Sequence, residues 1–155
     1  MLIHVFLLNS KPILSRVASS NEIILGMIES ATYAGEYYSL FFTTTGIIRA
    51  LTVSAVKNLF TMGAWSQAMS MKRARKLAAM TPDAIIQDDK SNFYIPYTDI
   101  KLIIMKKGKL PIFFTNTYLV LVTDNGNYFF SLPRQIFDEC VSAVSMAIPD
   151  KLAIT

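Results

Sequence analysis

The chain has 155 residues, of which 52% are hydrophobic, and its mean hydropathy is +0.38. These values favour one domain with either a large core or apolar surface that a partner or membrane covers. The net charge of +4 does not demand a nucleic-acid partner, and no apolar run approaches the ~18 residues of a membrane-spanning helix. The single cysteine, Cys140, excludes an intrachain disulfide, and we expect a cytoplasmic protein.

The first 21 residues are expected to form an N-terminal arm and connector. The apolar run from Leu2 to Leu8 lacks a basic leading region and a clear cleavage site, which argues against a signal peptide. We expect a single domain over residues 22–148 and a C-terminal tail over residues 149–155.

Three β-type segments open the domain. Residues 22–33, 37–44 and 47–53 are rich in β-branched and other apolar residues, and short turns at residues 34–36 and 45–46 separate them. Because strands joined by such short connections pair antiparallel, the segments predict a three-stranded meander.

A helical stretch at about residues 54–80 interrupts the strand series. At about 100° per residue its apolar residues share one arc, and we expect this arc to dock onto the protein. The arc contains Val56, Leu59, Phe60, Gly63, Ala64, Met71, Ala74, Leu77 and Ala78. Thr81-Pro82 is expected to end the helix, because the residue before a proline disfavours helical geometry.

The second half of the chain predicts more strands and a terminal helix. Apolar runs and alternation place strands at about residues 84–87, 93–97, 100–104, 110–123 and 128–132. Asn125-Gly126 is the strongest turn signal, because this pair readily adopts positive φ at both central positions. Apolar residues at helical spacing between Pro133 and Pro149 predict one amphipathic helix with Cys140 on its core face.

This order of elements resembles the pleckstrin-homology-like (PH-like) fold. The segment Ile95-Pro96-Tyr97-Thr98-Asp99-Ile100 is similar to a hydrophobic-x-Tyr-x-Asp-Ile step of bacterial PH-like and GRAM-like domains. Residues 129–132, followed by Phe137-Asp138, resemble their last strand and helix. The resemblance implies a mainly β (α+β) fold, with a barrel of about seven antiparallel strands and a capping C-terminal helix.

Two features depart from that resemblance. The helical stretch is inserted after the third strand, and the hairpin tip at residues 34–36 is Ala-Gly-Glu. Phosphoinositide-binding PH domains place lysines and arginines at this tip, so the resemblance does not carry inositol-phosphate binding over to this chain.

Residues for catalysis are sparse. His4 is the only histidine, which leaves no usual zinc pattern and no ordinary histidine-based triad. Asp88 and Asp89 are adjacent in a polar turn, where solvated carboxylates are the simpler interpretation. No Gly-rich phosphate loop is present. We therefore expect no catalytic residue, no metal and no cofactor, and a protein that is not an enzyme.

The helical stretch has a second face that mixes apolar and basic residues. A Trp or Met surface beside cations is suited to contact with a partner. That face contains Met62, Trp65, Met69, Lys72, Arg73 and Lys76. The plainer alternative is a helix buried on two sides by its own domain, with a solvated basic end.

A second basic cluster is predicted at a hairpin tip that contains Lys106, Lys107 and Lys109. Such a tip is most simply a solubilising turn. If it lay beside the basic end of the helical stretch, the two would form one surface that attracts anions.

Together these patterns predict a noncatalytic PH-like module that binds another protein or a second copy of itself, as a homo-oligomer. The alternative is a peripheral module that binds an anionic membrane surface through the basic helix and the hairpin-tip lysines. Nucleic acid is the weakest alternative, because the aromatic residues are committed to strands rather than interleaved with the basic ones.

Overall fold

The computed structural model describes residues 21–61, 64–108 and 117–155. The strands are β1 (Ile24–Tyr33), β2 (Glu36–Thr43), β3 (Gly46–Val53), β4 (Phe93–Pro96), β5 (Ile100–Lys106), β6 (Tyr118–Thr123), β7 (Gly126–Ser131) and β8 (Leu152–Ile154). The helices are α1 (Ala55–Thr61), α2 (Ala64–Ala78), α3 (Pro82–Asp88) and α4 (Phe137–Ala147). The predicted N-terminal arm, with His4, and the first part of the predicted strand at 110–123 lie outside these ranges.

The strands form one eight-stranded sheet in the order β4-β3-β2-β1-β7-β6-β5-β8. Strands β1 to β4 form one antiparallel meander and β5 to β7 form another. The two meanders meet at the pair Thr32 and Ser131. The mainly β fold is confirmed, but the sheet that the described strands form is not closed.

The sheet is mixed because the end of the chain adds a strand. Residues 149–155, predicted as a tail, contain a 3-10 turn, Pro149–Lys151, and then β8, which pairs parallel with β5. Strand β8 thus covers the edge of β5, whose backbone groups would otherwise lack sheet partners. The prediction that all strands pair antiparallel was therefore wrong for the pair β5 and β8.

The main core lies between the inner faces of both meanders and α4. Its large residues include Ile28, Leu40, Phe42, Ile103, Leu121 and Phe130. A 3-10 turn, Arg134–Ile136, leads into α4, and α4 ends before Pro149, so the terminal helix predicted between Pro133 and Pro149 is confirmed. Cys140 is buried on the core face of α4, as predicted.

A second, smaller core lies on the outer face of the first meander, where α2 and α3 cover it. It contains Phe41, Ile48, Ala50, Leu77, Ile85, Ile86 and Tyr94. Strands β2 and β3 are thus buried on both faces, which explains why they are nearly continuous apolar runs rather than alternating ones.

Helix α3 replaces the strand that the sequence predicted at residues 84–87. The Thr81 hydroxyl accepts a hydrogen bond from the Ala84 backbone N–H at 3.3 Å, and Pro82 begins the helix. Both residues are typical of a helix start. The prediction was wrong because a short apolar run does not by itself distinguish a buried strand from one turn of buried helix.

Candidate binding surface on the helical insertion

Helix α2 is anchored to the sheet through small residues. Its buried positions are Ser66, Ser70, Ala74 and Leu77, which recur at helical spacing and let the helix approach the strands closely. The hydroxyl groups of Ser70 and Thr52 share a hydrogen bond between α2 and β3. The docking face is therefore narrower and more polar than the arc that the sequence predicted.

Helix α1 is held at the tip of the first hairpin. The Asn58 side-chain amide donates a hydrogen bond to the Gly35 carbonyl at 2.9 Å. The Ala55 backbone N–H donates to the Glu36 carboxylate at 3.5 Å. These bonds fix the position of α1 without burying its apolar side chains.

The sequence analysis placed Val56, Leu59 and Phe60 on the docking arc, and this was wrong. They are 66%, 79% and 84% exposed, and Trp65 at the start of α2 is 74% exposed. These three residues belong to α1, whereas Ala74 and Leu77, which the same predicted arc included, are buried on α2. We call Val56, Leu59, Phe60 and Trp65 the apolar patch.

A basic groove lies between α1, α2 and the end of β3. Its volume is about 380 Å³, and it is lined by Thr52, Lys57, Met69, Lys72, Arg73 and Lys76. Arg73 forms an ion pair with Asp88 of α3. The structure thus brings together four of the residues predicted for the partner-binding face.

Trp65 lies on the exposed side of α2, where the sequence placed it. It occurs one turn before Met69 and two turns before Lys72 and Arg73, which gives α2 a stripe that changes from apolar to basic. Met62 belongs to the same predicted face but lies outside the described residues. Lys57 was missed because it comes from α1, and sequence spacing alone does not bring it to α2.

The hairpin-tip lysines have partners of their own. The Lys107 ammonium is 3.1 Å from the Asp138 carboxylate and 5.5 Å from the Phe137 ring centroid, both on α4. The Lys106 ammonium is 5.9 Å from the Tyr118 ring centroid. Lys109 lies outside the described residues. Lys107 therefore packs against α4 and does not line the basic groove.

The reactive groups of the described ranges are few. Burial raises the pKa of the Cys140 thiol to about 12, so this thiol is a poor nucleophile near neutral pH. Within residues 21–61, 64–108 and 117–155, no group of three or more His, Cys, Asp or Glu side chains is placed to hold a metal ion. No helix of that same part of the chain has the length and apolarity needed to cross a membrane.

Comparisons with known proteins find a likeness to solved structures alone. No family model and no curated protein matches the chain. The crystal structure of the C-terminal domain of an unknown protein from Leishmania infantum is similar at a TM-score of 0.46 and 20% sequence identity, over 80% of this chain and 82% of that one. A likeness of this degree identifies neither a family nor a function.

Proposed function

We propose that the protein is a noncatalytic binding module, built on a PH-like scaffold, that associates with a second copy of itself through the apolar patch. The observation that carries this proposal is the exposure of four large apolar side chains on two neighbouring helices. Where such side chains adjoin, the apolar surface that they form typically marks a contact site.

The composition of the surface supports a protein contact. Trp, Phe, Met and Arg are enriched at the centres of protein interfaces, whereas lysines are more frequent at their rims. In this proposal the exposed Phe60 and Trp65 supply the apolar centre, and Met69 and Arg73, which line the basic groove, form its border. Lys57, Lys72 and Lys76 would then form the rim on one side.

Sedimentation velocity across micromolar concentrations tests the self-association. The wild-type chain is expected to gain mass as its concentration rises, and Phe60→Ser or Trp65→Ser should weaken that gain by about tenfold or more in the dissociation constant. Met146→Ser is the matched control, because Met146 is also an exposed apolar residue but lies on α4, outside the patch. A wild-type mass equal to one chain at every concentration would reject the self-association.

An anionic membrane surface is the second candidate, and the basic groove favours it. Exposed Trp, Phe and Leu beside lysines is also the pattern of elements that lie in a membrane interface. Each basic group near an anionic surface contributes about 1 kcal/mol. In the membrane case, Lys57, Lys72 and Lys76 attract the headgroups while Leu59 and Phe60 enter the interface.

Vesicle co-sedimentation separates the two candidates. If the membrane is the partner, binding should increase with the share of phosphatidylserine, decrease with added salt, and fall in the double variant Lys72→Gln/Lys76→Gln. Vesicle binding that changes with neither the phosphatidylserine content nor the salt concentration would reject the membrane candidate. Self-association should change little with lipid and should depend mainly on Phe60 and Trp65.

A further inference from the structure

A charged side chain lies on the inner face of the sheet. Arg49 follows Ile47 and precedes Leu51 on β3, and because strand residues two apart share a face, it points toward the main core. Its guanidinium carbon lies 3.9 Å from the Phe93 ring centroid and 4.4 Å from the Tyr38 ring centroid. The Tyr128 ring lies 5.7 Å from the Phe93 ring, centroid to centroid. We call Arg49 with these three rings the Arg49 site.

The Arg49 site lies at the end of the sheet away from α4. Helix α4 contacts β1 at Gly26, which pairs with Phe42 near the end of β2. Tyr38 pairs instead with Leu51, near the start of β2. The guanidinium therefore lies toward the other end of the inner face from the Gly26 contact, and Arg49 is only half-buried.

Arg49 has no carboxylate partner within the described ranges. Among the residues that the structure describes, none of the ion pairs at a distance of 4.0 Å or less involves it, and its Nε atom is buried without a hydrogen-bond partner. Glu36 is the carboxylate that acts on it electrostatically, but the oxygens of Glu36 accept hydrogen bonds from the Tyr38 hydroxyl and the Ala55 backbone N–H.

An arginine in this condition is costly to the fold, because burial disfavours its charge and no carboxylate of the described residues pairs with it directly. Stacking on aromatic rings offsets part of that cost and fixes the plane of the guanidinium. Burial accordingly lowers the pKa of Arg49. An oxyanion is the chemical group that would supply the missing charge and accept a hydrogen bond from the unpartnered Nε–H.

We infer that the Arg49 site binds an oxyanion, a carboxylate or a phosphate group on a ligand that approaches from the end of the sheet opposite the Gly26 contact. The guanidinium holds two oxygens of the ligand side by side, and the rings of Tyr38, Phe93 and Tyr128 form apolar walls around it. The Glu36 carboxylate is the internal competitor for the same cation. This inference does not involve the apolar patch, so it stands or falls separately from the proposed self-association.

Nuclear magnetic resonance of the wild-type chain tests the site directly. The Arg49 Nε–H signal is followed as sodium phosphate or sodium acetate is added, with sodium chloride at the same ionic strength as the reference. We expect a saturable shift of this signal with at least one of the two oxyanions. The oxyanion that binds more tightly identifies the anionic group of the ligand as a phosphate or a carboxylate. A signal that moves no more than it does in chloride would overturn the inference.

Variants separate specific binding from general anion effects. Arg49→Lys keeps the charge but loses the planar fork, so the affinity for the oxyanion should fall by about tenfold or more. Glu36→Gln removes the internal competitor, so the affinity should rise. Arg75→Lys is the matched control, because Arg75 is exposed on α2 and pairs with Glu29 at 3.1 Å. An oxyanion-dependent rise in melting temperature that is the same in wild type and Arg49→Lys would also overturn the inference.

Discussion

Gly26 of β1 and Ala143 of α4 pack so closely that a Cβ atom on Gly26 would lie 3.1 Å from the Ala143 Cβ and 3.3 Å from its Cα. This contact brings the terminal helix directly onto the first strand. Ala143 has only a methyl side chain, so no change of rotamer can make room for a Cβ atom on Gly26.

Gly26→Ala should therefore destabilise the domain. The added methyl group must push α4 outward or shift β1, and overpacking of this kind costs about 1–3 kcal/mol. Urea denaturation measures the change in the free energy of unfolding. The double variant Gly26→Ala/Ala143→Gly should lose less than the sum of the two single changes, and strictly additive losses would contradict the contact.

Lys151 ties the last turn of the chain to the sheet. Its ammonium donates hydrogen bonds to the backbone carbonyls of Tyr97, at 2.6 Å, and Ile100. Lys151→Met should remove both bonds, cost about 1–3 kcal/mol, and increase amide hydrogen exchange in β8. Lys101→Met is the control, because Lys101 forms only an exposed pair with Asp124 and should change stability by less than about 0.5 kcal/mol.

Stability should fall as the pH rises above about 9. Burial raises the pKa of Cys140 from 9.0 to about 12 and that of Tyr38 from 10.0 to about 12. Between those values the unfolded chain releases the proton while the folded chain retains it, so deprotonation favours unfolding. The contribution of each group is complete below its unfolded pKa and is lost as the pH approaches 12.

Urea denaturation at a series of alkaline pH values checks this dependence. Cys140→Ala should remove the loss of stability that begins near pH 9.0, and the loss that begins near pH 10.0, from Tyr38, should remain. Rapid reaction of the folded wild-type thiol with Ellman's reagent near neutral pH would contradict the burial of Cys140.

Truncation of two phenylalanines should change the stability by very different amounts. Phe60 is exposed on α1, whereas Phe130 is fully buried in the main core. Phe60→Ala should change the free energy of unfolding by less than about 0.5 kcal/mol, and Phe130→Ala should lower it by about 3–5 kcal/mol. A large loss at Phe60, measured on a dilute monomer, would mean that α1 docks onto the domain as the sequence first indicated.

The sequence predicted the elements that carry clear local signals. Asn125-Gly126 marks the β6–β7 turn, and Pro133 and Pro149 bracket α4, whose apolar residues keep one period. Helix α3 was missed, although Thr81-Pro82 is a helix-start signal, because the proline was interpreted only as the end of the preceding helix. Strand β8 has three residues, which is too short for any pattern to indicate.

The sequence could group candidate residues only where they belong to one helix or strand. Trp65, Met69, Lys72, Arg73 and Lys76 all belong to α2, where helical spacing predicted one face, and the last four line the basic groove. The exposure of Val56, Leu59 and Phe60 depends on how α1 lies at the tip of the first hairpin, which no local pattern specifies. Arg49 did carry a signal, since it is the one charged residue among the apolar residues of β3, but its aromatic neighbours come from three other strands.

The central claim is that the apolar patch binds a second copy of the chain. Trp65 is the only tryptophan and belongs to the patch, so its fluorescence reports directly on that surface. On raising the wild-type concentration, we predict a shift of the emission to shorter wavelength and weaker quenching by acrylamide, both reduced in Phe60→Ser. Unchanged emission and quenching at every concentration, with a mass that stays at the 17.4 kDa of one chain, would contradict the claim.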